Sequence, residues 1–473
     1  MHKLKMTLTF AVSASALLCS VPNLSADAIM QTSSLSQDTQ SFYDYWKDKY
    51  ISKDPYLTDD TQYFVYYGEE KYSGGEPVEV TVSEAHGYGM LITSCMAQYD
   101  SEAKDIFDGM YRFYQSHKST IGPNLMAWQQ ADNGSSISNV SGADSAIDGD
   151  MDIAYSLLIA DSIWGSEGEI DYKTAALNVI NDIMEYEVNK TDWILQLGDW
   201  AYGSDERDDY YSATRASDFI MQYLPVFADV TGDERWLNVY NSTYNIINSF
   251  IDEYGTGILP DFIIKDKQTG KFIAAPANFL ESENDGNYYY NSCRTPWRIS
   301  MDYIVNQSED AKRFADTINS FIKKSTNSDP WEIKAGYTPD GKTIEDYDDL
   351  CFTAPFLVSA SCGDDEEWKA EIRDVVVNYG DDVYYGDTIK MLCLISVDGG
   401  FIVPDKKAQL LIGDVNVDGM VRVDDVVMLA KYITTGNKPL SMEAGDMTGD
   451  GKVNIFDLCE LKNLVININA KEV

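Results

Sequence analysis

Two copies of one short loop close this chain, and that repeat restricts the fold of residues 411–473 more tightly than any other feature constrains any other part. The first copy carries Asp414, Asn416 and Asp418 at loop positions 1, 3 and 5, then Gly419, Met420 and, at position 12, Asp425. The second carries Asp446, Thr448 and Asp450, then Gly451, Lys452 and Asp457 at the same positions. Calcium is a hard cation that takes about six to eight oxygen ligands, and this spacing wraps them around one point. Side-chain oxygens come from positions 1, 3, 5 and 12. The glycine makes the sharp turn, and the carbonyl of Met420 or Lys452 completes the set. An apolar helical stretch follows each loop, so the spacing predicts two loop–helix units that each hold Ca2+. Thr448 offers a neutral hydroxyl where the first loop has an amide, so the second loop is expected to hold its ion more weakly.

The tandem resembles a dockerin, the module that plugs polysaccharide-degrading enzymes into cohesin domains of a scaffold protein. Aspartate rather than glutamate at position 12 belongs to that resemblance. It implies a cohesin as partner, with partner choice resting on positions 10 and 11. These are Val423 and Asp424 in one repeat, Ile455 and Phe456 in the other. Because the pairs differ, the two halves are not expected to bind equivalently.

The rest of the chain is long enough for one catalytic-size domain. A formal net charge of -41 argues against nucleic acid and anionic membrane as partners and suits a secreted protein. Lys3 and Lys5 precede an apolar run too short to span a bilayer, and Ala26 follows, so residues 1–26 are expected to be a secretory signal. Residues 27–40 are polar and read as a linker, 41–404 as the catalytic domain, 405–410 as a brief second linker, and 411–473 as the calcium module. The cysteines after the signal, Cys95, Cys293, Cys351, Cys362, Cys393 and Cys459, have neither disulfide nor zinc spacing and are expected to be buried thiols. Apolar residues recur at helical spacing over 103–117, 152–164, 172–187, 235–251, 302–305, 311–324 and 366–377. Alternation over 78–82 and 262–273 predicts hairpins. The domain is all-α.

Three stretches could carry chemistry. In Ser83-Glu84-Ala85-His86-Gly87-Tyr88-Gly89 a carboxyl opens an apolar helix among glycines, where burial would raise its pKa and suit a general acid. A dipole-stabilising glutamate is the simpler reading of the same residue. Asp148, Asp150 and Asp152 open a second apolar helix; they could hold a sugar hydroxyl, a cation, or the helix end. A polar loop runs from Phe279-Leu280-Glu281 through Glu283, Asp285 and three tyrosines to Asn291, Arg294 and Arg298. It is either a functional loop or a solvated acidic one.

Taken together, these stretches resemble glycoside hydrolase family 8, a group of inverting endo-glycanases on an (α/α)6 barrel. The resemblance spans roughly residues 41 to 400. It implies Glu84 as general acid and Asp148 as the residue that grips the sugar at the cleavage point. Asn291 stands where one subfamily has an aspartate base. In a second subfamily the base is a glutamate in an F-L-E motif upstream, which implies Glu281 here, with Glu283 as fallback. The resemblance further implies substrate contacts at Trp128, Trp200, Arg215, Tyr290, Asn291, Arg294, Tyr384 and Tyr385, although a packing role is open for the aromatics. His86 is expected to be structural. The implied reaction is hydrolysis of internal β-1,4 bonds of cellulose-like or mixed-linkage β-1,3-1,4 glucan, with no cofactor for catalysis. A chitosanase of the same family and a non-catalytic glycan-binding protein are the alternatives.

Overall fold

A computed structural model describes residues 35–57, 61–68, 71–201, 210–380, 383–404, 413, 415, 421–436, 442–448 and 451–469. The expected signal peptide, residues 27–34 of the first linker, the 405–410 linker and the loop residues Asp414, Asn416, Asp418, Met420 and Asp450 lie outside them.

Up to residue 404 the described chain forms twelve α-helices. They are α1 (Gln37–Tyr50), α2 (Ser83–Cys95), α3 (Ala103–Ser116), α4 (Ile147–Trp164), α5 (Tyr172–Tyr186) and α6 (Tyr223–Thr231). Then come α7 (Arg235–Tyr254), α8 (Thr295–Asn306), α9 (Glu309–Ser325), α10 (Leu350–Ala360), α11 (Glu366–Asn378) and α12 (Tyr384–Val397). Burial sorts them into two kinds. In α9 the buried residues are Ala311, Phe314, Ala315, Ile318 and Ile322, a single stripe with charge elsewhere. In α10 every residue is buried, and α2 and α4 are nearly as enclosed. A helix apolar all round must be surrounded by others, whereas a striped helix needs only one covered face. Odd-numbered helices therefore form the outer layer and even-numbered ones the inner ring of an (α/α)6 barrel. The inner ring runs from α2 to α4, on to α6 through the stacked rings of Tyr155 and Tyr223, and closes by α8, α10 and α12 back onto α2.

The tightest inner contact is between α2 and α4, and two glycines make it possible. A Cβ on Gly87 would lie 2.8 Å from Asp152 Cβ and 2.9 Å from the Gly149 carbonyl oxygen. One on Gly149 would lie 2.5 Å from the Ser83 carbonyl carbon. Backbone touches backbone here, and the first turns of both helices are brought together.

Short strands decorate the helix connections. β1 (Ile51–Lys53) pairs with β2 (Tyr63–Val65). β3 (Val78–Val82), β4 (Gln129–Asp132) and β5 (Ile137–Asn139) form an antiparallel sheet that delivers the chain into α2. β6 (Val188–Asn189) pairs with β7 (Ile194–Leu195). β8 (Ala213–Arg215), β9 (Phe262–Lys265) and β10 (Phe272–Ala274) form a third sheet in the order β10-β9-β8. Both expected hairpin regions are strands.

Two expectations need correction. The first linker does not extend to residue 40: Ser36 caps α1 by accepting from Thr39 N, and Thr39 is buried. Polar composition misled because the side chains of Ser36 and Thr39 donate to Asp398 beyond α12. Cys459 is exposed, unlike the other five cysteines, because its helix has a solvent face.

After residue 420, α13 (Val423–Thr435), α14 (Met442–Gly445) and α15 (Ile455–Asn469) pack around Val415, Val421, Leu429, Leu461 and Val465.

Candidate active site

Because α2 and α4 touch at their first turns, Glu84 and Asp148 are neighbours. The carboxylates of the Asp148 stretch then diverge as a helix requires. Asp148 and Asp152, four residues apart, share a face; Asp150 points elsewhere and accepts from Met126 N at 2.8 Å. Asp152 forms a wholly buried pair with Arg298, whose Nη1 donates to Oδ1 at 3.0 Å. Breaking such a pair costs about 3–5 kcal/mol, so it ties α4 to α8.

One turn earlier on the approach to α8, Arg294 occupies the centre of the site. It is 1% exposed. Its Nη1 donates to Glu84 Oε2, to Tyr88 Oη at 2.9 Å and to Asp148 Oδ2 at 3.1 Å. Its Nη2 donates to Asn291 Oδ1 at 3.2 Å. Arg215, at the end of β8, reaches Asp148 Oδ1 at 3.3 Å, Asp218 Oδ1 at 3.2 Å and Glu281 Oε1 at 3.9 Å. Two guanidinium groups thus face four carboxyls, and the carboxyls respond differently. Burial raises the Glu84 pKa, against the pull of Arg294 and with help from Asp148. Asp148 is also buried, but Arg215 and Arg294 outweigh that burial and hold its pKa below the usual value. Burial pushes Asp218 up to about 7. A proton therefore rests more easily on Glu84 than on Asp148, the division of labour that a general acid beside an ionised partner needs.

The remaining residues of the constellation come from the loop 275–291, which reaches Arg215 through Glu281 and Arg294 through Asn291. Glu281 is half-exposed and accepts from Asn291 Nδ2 at 2.8 Å. Its backbone is shaped from below by Asp285, which accepts from Leu280 N at 2.7 Å, Glu281 N at 3.0 Å and Ser282 N at 2.8 Å. Asn291 is anchored in turn by Asp261, which also accepts from Tyr289 N at 2.9 Å, Ser292 N at 2.7 Å and Ser292 Oγ at 2.6 Å. Burial raises the Asp261 pKa to about 6 despite these donors. Glu283 is exposed on the same loop.

The structure thus gathers Glu84, Asp148, Arg215, Glu281, Asn291 and Arg294 into one constellation. Tyr385 and Tyr290 form its next layer: Tyr385 Oη donates to the Tyr290 carbonyl at 2.6 Å, and Arg294 Cζ lies 5.8 Å from the Tyr385 ring centre. Tyr384 is buried edge-on against Tyr50, 5.6 Å between centres, and packs as core. Trp128 flanks the acid, its carbonyl accepting from Ser83 N at 2.8 Å. Trp200 stands apart, packed edge-on against Tyr210. His86 is buried, bonded to the Met110 carbonyl and pushed down to about 4 by burial, as a structural role requires. The sequence reading missed Asp261. Its signal was an acid set between Leu259, Pro260 and two apolar strand residues.

A family model for glycosyl hydrolases family 8 matches residues 20–399. The chain belongs to glycosyl hydrolase family 8. The match covers most of the chain and includes the whole constellation, so this protein is a glycoside hydrolase of that family. A dockerin type I domain model matches residues 412–466. This family 8 enzyme is 42% identical to a beta-glucanase of Niallia circulans over 78% of its own length and 86% of that protein. It is 36% identical to an endoglucanase of Bacillus sp. strain KSM-330, over 79% of each chain. The solved apo structure of a beta-1,3-1,4-glucanase from Paenibacillus sp. X4 matches it with a TM-score of 0.72 and 41% identity, covering 77% of this chain and 92% of that one.

The second calcium-type loop brings several of its oxygens together. Asp457 folds back so that Oδ1 accepts from Thr448 N at 3.0 Å and Thr448 Oγ1 at 2.9 Å. Thr448 Oγ1 lies 3.4 Å from Asp446 Oδ1, and Gly451 takes a φ of +78° at the turn. In the first loop Asp425 folds back likewise, onto Val415 N at 3.0 Å and Arg422 N at 2.8 Å. Oxygens of positions 1, 3 and 12 converge in the second loop, so its residues fit a hard cation.

Proposed function

We propose that this enzyme is a secreted, inverting endo-β-glucanase that cuts internal β-1,4 bonds of mixed-linkage or cellulose-like glucan. Glu84 is the general acid on the leaving oxygen, and Glu281 is the base that draws a proton from the attacking water. Inversion needs these two groups on opposite faces of the sugar, with room for that water. Asp148, held ionised by Arg215 and Arg294, grips the sugar at the cleavage point. Arg215, Asn291, Arg294, Tyr290, Tyr385 and Trp128 line the approach, with Tyr384 packed behind it and Trp200 apart.

The observation that carries this reading is the hydrogen bond from Asn291 Nδ2 to Glu281 Oε2 at 2.8 Å. Asn291 cannot accept a proton, but its amide holds a carboxylate that can. Among the described residues no side-chain amide holds Glu283 in this way, and it is the fallback. The mixed-linkage substrate is favoured by the 41% identity to the beta-1,3-1,4-glucanase of Paenibacillus sp. X4. Chitosan is the second reading, because a chain of net charge -41 attracts a polycation.

The C-terminal module takes calcium through Asp414, Asn416, Asp418, Asp425 and the Met420 carbonyl, and through Asp446, Thr448, Asp450, Asp457 and the Lys452 carbonyl. Bound calcium supplies structural order to the cohesin-docking helices, which would seat the enzyme on a cellulosome outside the cell. Val423 is 62% and Phe456 71% exposed, which suits them to a protein partner.

The test is release of reducing ends from barley β-glucan, carboxymethyl-cellulose, xylan and chitosan, with NMR of the anomer first formed. Release from glucans as the inverted anomer is expected. Release from chitosan alone would move the enzyme to the second reading, and a retained anomer would remove Glu281 from the role of base.

A further inference from the structure

Inner helices begin at the catalytic end of the barrel: α2 with Glu84, α4 with Asp148, α8 after Arg294, α10 just after Asp349, and α12 at Tyr384. The outer helix α11 runs the opposite way and ends there, so its C-cap, Tyr379, also lies on that rim. A trail of aromatic and acidic side chains crosses the rim away from the catalytic constellation. Tyr290 Oη donates to Asp349 Oδ2 at 3.0 Å and lies 3.3 Å from Tyr347 Oη. Tyr379 Oη, further out, donates to Asp348 Oδ2 at 2.9 Å. Beyond it, the ring of Trp331 lies nearly parallel to that of Tyr379, at 22° and 5.9 Å between centres.

Trp331 is 48% exposed and Tyr347 41%. In a domain that buries Trp46, Trp236, Trp297 and Trp368 completely, Trp331 stacks on a phenol and still presents nearly half of its surface to solvent. A short 3-10 turn, Pro330–Glu332, presents it, with Asp329 accepting from Trp331 N at 3.0 Å. The chemistry is an extended flat apolar surface edged with carboxylate acceptors. A pyranose ring has the complementary form: a face of C–H bonds and a rim of hydroxyl donors.

We propose that Trp331 and Tyr379 form a platform for a distal segment of the β-glucan chain, continuous with the catalytic cleft through Tyr347 and Tyr290. This rests on the glucanase reading above. The platform holds polymer that the catalytic subsites do not reach. It therefore contributes to capture of long chains and not to bond cleavage.

The test uses the full chain with Trp331→Ala and Trp331→Phe. KM is measured on barley β-glucan and kcat/KM on a short cello-oligosaccharide. Migration is followed in native gels with and without barley β-glucan. For Trp331→Ala, polymer KM should rise roughly threefold to tenfold and glucan retardation should fall, with oligosaccharide turnover unmoved. Trp331→Phe should recover most of both. Wild-type polymer KM and gel retardation in Trp331→Ala would overturn the platform alone, as would equal losses on polymer and oligosaccharide. A change in oligomeric state without a change in glucan binding would make the surface a protein contact and overturn it too. A wild-type enzyme neither active on nor retarded by glucan would instead overturn the glucanase reading on which the platform rests.

Discussion

The two walls of the catalytic cleft are built by different means. Glu84 and Asp148 stand on helices whose backbones touch, and buried arginines fix them from behind. Glu281 stands on a loop, half-exposed; its backbone N donates to Asp285, and Asn291 donates to its carboxylate while also donating to Asp261. The helical wall controls protonation: burial and two guanidinium groups drive the two carboxyls apart in pKa. The loop wall controls position and leaves its carboxylate near water. An acid that must keep its proton gains from enclosure, and a base that must engage water gains from access.

The sharpest way to break this comparison is on the helical wall. Glu84→Gln should lower kcat by about 10²–10⁴-fold while glucan affinity survives, measured by turnover and affinity electrophoresis. In the wild type, kcat/KM should fall as pH rises through the elevated Glu84 pKa, because the deprotonated form cannot protonate the leaving oxygen. A pH profile without that basic limb would contradict the role. On the loop wall, Glu281→Gln should cost a comparable factor and Glu283→Gln little; an inactive Glu283→Gln beside an active Glu281→Gln would exchange the two.

A smaller effect separates position from protonation. Asp261→Asn keeps the side chain's shape but weakens the anchor under Asn291, so kcat should fall roughly ten- to hundredfold with KM less altered. Its linkage has a definite sign. The folded-state pKa of Asp261 is raised from 3.8 to about 6, so the native state binds that proton more tightly than the unfolded chain. Its contribution to stability is full below pH 3.8 and is lost as pH rises through about 6. Thermal melts of Asp261→Asn across that window should lack the decline. The smallest effect on hydrolysis should come from chelation. EDTA should abolish cohesin retention in a pull-down and leave glucan turnover unchanged, since the metal ligands belong to the C-terminal loops.

The unequal construction of the walls also explains what could be read from the sequence. The helical wall was legible in part because its acids lie within single motifs: Glu84 opens one apolar helix and Asp148 another, their roles came from the resemblance, and the contact at Gly87 and Gly149 appeared only in the fold. The twelve-helix barrel was visible only in part, since fully buried helices such as α10 carry no stripe for a periodicity argument to find. The loop wall was legible through resemblance, and only down to Glu281 and Asn291. Asp261 escaped because its partners are backbone amides 28 and more residues away, and nothing local marks such a bond. The sorting of Asp148, Asp150 and Asp152 into a site residue, an acceptor for Met126 and a partner of Arg298 likewise needed the third dimension. Trp200 was grouped with cleft residues by resemblance, with a packing role open, and its ring packs with Tyr210 and Phe279.

The glycine contact between α2 and α4 works as a fixed ruler. With no side chain on Gly87 or Gly149, the separation of the acid from Asp148 is set by van der Waals radii of backbone atoms, which no substitution can shorten and any β-carbon would lengthen. One jaw of the proposed site is therefore rigid and the other adjustable: a redesign for another sugar shape, linkage or working pH has room in the loop that carries Glu281, and none between the two helices.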